Sequence, residues 1–130
     1  MLILISAGAV YSRNSIDGMK LTQFTSELQI IERKLGIIAE EKKLGSNAYD
    51  NIGIKVTELP SADKIKALGI LEMPELDIPP EEINNFILLS ADDLNTIGVS
   101  KIKQDVLVNY NIQMVVSFTG ITIGGEQYYW

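Results

Sequence analysis

The chain has no cysteine and no histidine. The first absence excludes a disulfide scaffold and a thiol nucleophile. The second removes the commonest general base and transition-metal ligand, and together they leave structural zinc without its usual donors. Ordinary hydrolase and metalloenzyme chemistry therefore lacks its customary residues, and no cofactor or catalytic centre is expected. The compartment stays open, because an exported protein need not carry disulfides. Basic residues are also in short supply. There are 11 Lys and Arg against 17 Asp and Glu, a net charge of −6 with no basic patch. Phosphate neutralisation needs clustered cations, so nucleic acid is not an expected partner. The uncharged run Met1–Tyr11 is too short to cross a bilayer, which takes roughly 20 apolar residues. It also lacks the basic leader with which a signal peptide begins.

What is present suits one folded unit. The chain has 130 residues, 46 % of them hydrophobic and 22 % charged, enough for a core and too apolar for disorder. Acidity is concentrated in residues 46–99, which hold ten Asp or Glu and three Lys. A solvated surface accounts for that.

The strongest pattern lies near the amino terminus. Leu21, Phe24, Leu28, Ile31, Leu35 and Ile38 alternate at spacings of three and four, an apolar helix stripe, with Glu27, Glu32, Arg33, Lys34, Glu40, Glu41, Lys42 and Lys43 between them. Lys42 and Lys43 followed by Gly45 give a cationic last turn and a stop, placing the helix end near Leu44. Ile30, Ile37 and Leu44 repeat every seven residues on a second arc, wider than a single partner surface requires. Upstream, Leu2, Ile3, Leu4, Ile5 and Val10 form an apolar segment that the same helix could include, with Gly8 and Gly18 as soft points. A rod from Met1 to Leu44 would be about 65 Å long, too long for so small a head to bury. Met1–Tyr11 reads either as the start of a short buried helix or as the end of a membrane helix that begins further upstream; the second is the expectation carried forward.

From Gly45 onward the pattern becomes that of a small head. Ile52, Ile54 and Val56 alternate as a strand, and Ser61–Leu68 reads as a short helix closed by Gly69. Met73–Pro80 is an irregular crossing, Pro80-Glu81-Glu82 a single helical turn, and Phe86–Leu89 a strand. Ser90 with Asp93 forms a capping box that opens a helix over Ala91–Ile97, ended by Gly98. Strand-like runs at 106–109, 114–116, 121–123 and 128–130, separated by Asn109-Tyr110-Asn111 and Gly124-Gly125, predict an antiparallel meander. The expected class is α+β: a long amino-terminal helix, residues 1–45, packed on a small antiparallel β-sheet head, residues 46–130.

Other chemistry has weaker support. Asp92 and Asp93, with Asp105, do not follow the spacing of a calcium loop and read as first-turn acids of a capped helix. Gly120, Gly124 and Gly125 lack the following Lys of a phosphate loop. Tyr128, Tyr129 and Trp130 suit either a binding platform or the packed face of a terminal strand.

A long helix with an uncharged top, followed by a carboxy-terminal antiparallel sheet, resembles the type IV pilin and pseudopilin architecture. The tail Asp105-Val106-Leu107-Val108-Asn109-Tyr110, then Met114-Val115-Val116-Ser117, Gly120-Ile121, Gly124-Gly125 and Tyr128-Tyr129, is similar to the end of prepilin-like proteins of Gram-positive bacteria. The family's Thr-Gly-Glu hairpin turn is replaced here by Asn111-Ile112-Gln113, and no Gly, apolar residue and later Glu of a processing site stands near Met1. The resemblance therefore places the processing site and upper membrane helix upstream of this sequence. It implies a non-enzymatic structural subunit, held in the membrane before assembly and then packed with copies of itself or related subunits in a cell-surface filament. In that filament the stripe Leu21–Ile38 would be divided between the subunit's own sheet and neighbouring helices, so that Leu28→Glu would abolish assembly. A soluble helix-mediated oligomeric module, or another secretion or phage structural protein, shares the same stripe.

Overall fold

The computed structural model describes residues 15–123 and 125–130. The apolar segment Leu2, Ile3, Leu4, Ile5 and Val10 lies outside them. Helix α1 runs over Ser15–Lys43, straight through Gly18, and ends at Lys42 and Lys43 as the charge pattern predicts. Gly45 follows at φ 94°, in the left-handed conformation that closes helices cheaply only in glycine.

A four-stranded antiparallel sheet carries the head, in the order β1 (Ile54–Lys55), β2 (Ile87–Leu89), β3 (Val106–Asn109), β4 (Met114–Ser117). Helix α2 (Ser61–Leu71) lies between β1 and β2 in the chain, and α3 (Ala91–Thr96) between β2 and β3. Register follows the pleat. Val106 and Val108 pair with Ser117 and Val115 on one face, and Leu107 pairs with Val116 on the other. The first face, with Leu89, receives Phe24, Leu28, Ile31, Leu35 and Ile38 of α1 and Leu94 of α3. The second is covered by Ala67, Ile70 and Leu71 of α2, by Val56 and Phe86, and by the partly buried Tyr129 and Trp130. All four residues of β3 are buried, as expected of a strand covered on both sides.

The structure departs from the sequence expectations in three places. The first strand is only Ile54–Lys55, because Val56 opens a 3-10 turn toward Pro60. Gly53 precedes it at φ 89°, where an added Cβ would lie 2.8 Å from the Leu88 carbonyl oxygen. Helix α2 passes through Gly69 instead of ending there. Burial of Ile70 and Leu71 outweighs the cost of about 1 kcal/mol for a helical glycine. Finally, the carboxy-terminal strands do not form one meander: β5 (Ile121–Ile123) and β6 (Glu126–Tyr128) make their own two-stranded sheet. The chain leaves β4 at Gly120, φ 76°, where a Cβ would meet the Tyr129 ring at 2.8 Å. The tail then returns to β4, and the Ser117 amide donates to the Tyr129 carbonyl at 2.6 Å.

The capping box at Ser90 forms as its spacing predicts. The Asp93 amide donates to Ser90 Oγ at 3.1 Å and the Ser90 amide to Asp93 Oδ2 at 3.0 Å. Helix α3 ends at Thr96 and Gly98 follows at φ 97°.

Candidate assembly surface on the long helix

Helix α1 presents two apolar lines on opposite sides. The sheet-facing line is the predicted stripe: Phe24, Leu28, Ile31, Leu35 and Ile38 are each at most 4 % exposed, all within the chain's own core. Leu21, one turn above, is partly buried against Ile123 and Tyr128. The expected division of this stripe between the head and neighbouring helices is corrected accordingly. Its side chains are used up by contacts inside the chain, so Leu28→Glu would damage the head itself and report nothing specific about assembly.

The free line is the second arc. Ile30, Ile37 and Leu44 are 47 %, 54 % and 87 % exposed. At 3.6 residues per turn they lie about 140° around the helix from the centre of the stripe. Ala39 and the half-buried Glu41 and Lys42 flank the lower end. Three aliphatic side chains one heptad apart on an otherwise charged helix face give a line that a second helix would cover.

Polar contacts fix how α1 sits, and therefore which way the arc points. Near its upper third, Gln104 is buried between helix and sheet. It donates to Glu27 Oε1 at 2.8 Å and accepts from Ser117 Oγ at 2.5 Å, while Ser117 Oγ also accepts from the Gly120 amide at 2.7 Å. At the lower end, Tyr49 donates to Glu41 Oε1 at 2.9 Å, and Lys42 pairs with Asp50 at 2.6 Å and lies 5.4 Å over the Tyr110 ring. The hydrogen bond to the Glu41 carboxylate holds the Tyr49 phenol above its ordinary pKa, so it remains a donor. These two latches bracket the arc and turn it outward. The first was not legible in the sequence, because Glu27 and Gln104 are 77 residues apart, and the second joins residues eight apart only through the turn that follows Gly45.

The other residues singled out in the sequence take structural positions. Asp93 is committed to the capping box, and the Asp105 carbonyl accepts from the Phe118 and Thr119 amides at 2.9 and 3.3 Å. Among the described residues no group of three or more acidic side chains is placed to hold a metal ion. Tyr128 is buried and donates to Glu126 Oε2 at 2.8 Å. The β3–β4 turn is clamped by Asn109, fully buried, whose Oδ1 accepts from the Asn111 and Ile112 amides and whose Nδ2 donates to Glu82. Donors from Asn85, Asn109 and Asn111 hold the Glu82 carboxyl below the usual range. Gln113 completes that turn at φ 52°.

No described helix is long and apolar enough to cross a membrane. No family model matches the chain, nor does any curated protein or any solved structure.

Proposed function

We propose that this chain is a structural subunit of a type IV pilin-like or pseudopilin filament, assembled through its amino-terminal helix, with no catalytic role. The observation that carries the reading is the two-sided helix: one side is consumed by the chain's own sheet, and the other keeps an apolar arc free for copies of itself. The uncharged residues Met1–Tyr11 precede α1 in sequence, separated from it by residues 12–14, and on this reading are the lower end of the segment that the membrane would hold before assembly. On this reading the filament is displayed at the cell surface and its partners are identical or related subunits. The tail motif from Asp105 to Tyr129 adds the resemblance to prepilin-like proteins.

The test is electron microscopy and sedimentation of the full chain, set beside Ile37→Glu. Filaments from the unaltered chain, lost in a variant that melts at the same temperature, would support the proposal. A concentration-independent monomer would overturn it. Oligomers of fixed small size would favour a soluble helix-mediated module in its place.

A further inference from the structure

We infer that residues 45–53 form a hinged strap that swings off the lower end of α1 as a unit, letting water reach the Tyr110 hydroxyl while the rest of the fold stays closed. This is a property of the single chain and goes beyond the filament reading, so either can fail without the other. The strap joins α1 to β1, and a glycine at positive φ stands at each end, Gly45 at 94° and Gly53 at 89°. Hinges are a few loop positions of this kind that absorb a change in backbone angle. Between them the backbone is tied only to itself and to the end of α1. The Gly45 and Ser46 amides donate to the Lys42 and Glu41 carbonyls, the Asp50 amide to the Asn47 carbonyl and the Ile52 amide to the Tyr49 carbonyl. Among the described residues no backbone group between the two glycines bonds to the sheet or to α3.

Side chains therefore hold the strap down. Tyr49 and Ile52 pack half-buried on the first core, Tyr49 donates to Glu41 Oε1, and Lys42 pairs with Asp50. That ion pair is of the weak surface kind, its side chains 34 % and 50 % exposed. Under these contacts lies an unfavourable group. Tyr110 is buried with its ring beneath Lys42, and its hydroxyl has no partner among the described residues. Burial, then Tyr49, Asp93 and Asp50, hold its pKa up, which sets the strap's own phenol and carboxylate beside it. The closed strap leaves the hydroxyl unsatisfied and the open one gives it water, so the hydroxyl favours opening against the latches. Segments with few buried apolar contacts open in this local way, well below the free energy of global unfolding. Opening also releases Glu41 and Lys42, which flank the lower end of the arc beside Leu44. The strap thereby decides whether those two charges are bound inside the chain or shown to a partner.

Hydrogen exchange of the full chain, followed amide by amide, tests this. The Ser46 amide is the reporter, because its 3.0 Å bond to the Glu41 carbonyl crosses the Gly45 hinge, and the amides of β3 report global unfolding. Ser46 should exchange through an opening at least roughly tenfold more populated than that of β3, and nearly independent of denaturant. Leu35→Ala should speed β3 roughly thirtyfold or more and leave Ser46 unchanged, since the core stays closed when the strap opens. Tyr49→Phe should raise the Ser46 opening roughly fivefold and Asp50→Asn about twofold, whereas Tyr110→Phe should lower it roughly fivefold. Ser46 exchange that rises in step with β3 in Leu35→Ala would overturn the strap, because no separate opening then exists. A Ser46 opening indifferent to Tyr49→Phe and Tyr110→Phe would overturn it as well, since it would report only fraying of the helix end.

Discussion

At the residue scale the most informative side chain is Tyr110, which stacks under Lys42 and is 8 % exposed. Its hydroxyl is buried without a hydrogen-bond partner among the described residues. Burial, reinforced by Tyr49, Asp93 and Asp50, pushes its pKa up to about 12. The folded state thus favours the protonated phenol. That preference costs nothing below the unfolded pKa near 10, and stability is lost progressively as pH rises from about 10 toward 12. Tyr110→Phe removes the orphan hydroxyl and keeps the ring beneath Lys42. It should stabilise the protein by about 1 kcal/mol at neutral pH. It should also flatten the fall in melting temperature between about pH 10 and 12. A variant that melts lower and keeps the alkaline slope would show that the hydroxyl has a partner in solution.

At the element scale, α1 separates packing from association. Leu35 is 0 % exposed inside the core shared with Val106 and Val108, whereas Ile37, two residues on, is 54 % exposed. Leu35→Ala should cost about 2–5 kcal/mol in denaturant unfolding, the range for emptying a packed aliphatic site. Ile37→Ala should stay within about 0.5 kcal/mol in dilute monomer, as surface changes do, and weaken only self-association. Equal losses of monomer stability at both positions would mean that the arc is covered within the chain. The stripe marked the apolar side of α1, since helix periodicity reports it directly, but its closure inside the chain's own core was not read from the sequence. The second arc was visible as a seven-residue repeat, but its freedom depended on where the sheet lay.

At the scale of the whole molecule, the helix and the head share one core. The face of the sheet that receives α1 also receives Leu94 of α3, and the opposite face is closed by α2 and the carboxy-terminal Tyr129 and Trp130. Little of this structure can melt alone. Denaturation should therefore give one transition, with helical circular dichroism and the fluorescence of the single tryptophan, Trp130, changing together. A helix signal that persists after Trp130 is exposed would show that α1 outlives the head.

The sequence by itself determined the elements whose signals are local: the helix end within a residue of Leu44, the Ser90–Asp93 capping box, a strand over Val106–Asn109 and the α+β class. Such features depend on residues three or four apart, or on alternation along one strand, so composition and spacing suffice. Only the tertiary structure decided the rest. It closed the stripe against the chain's own sheet, carried α2 past Gly69, split β5 and β6 from the main sheet, and held α1 through Gln104 and Tyr49. All but the Tyr49–Glu41 contact, which spans eight residues across the turn after α1, depend on contacts between residues distant in the chain. Burial of Ile70 against the sheet, or of Gln104 between Glu27 and Ser117, enters the free energy only after the chain has closed those loops.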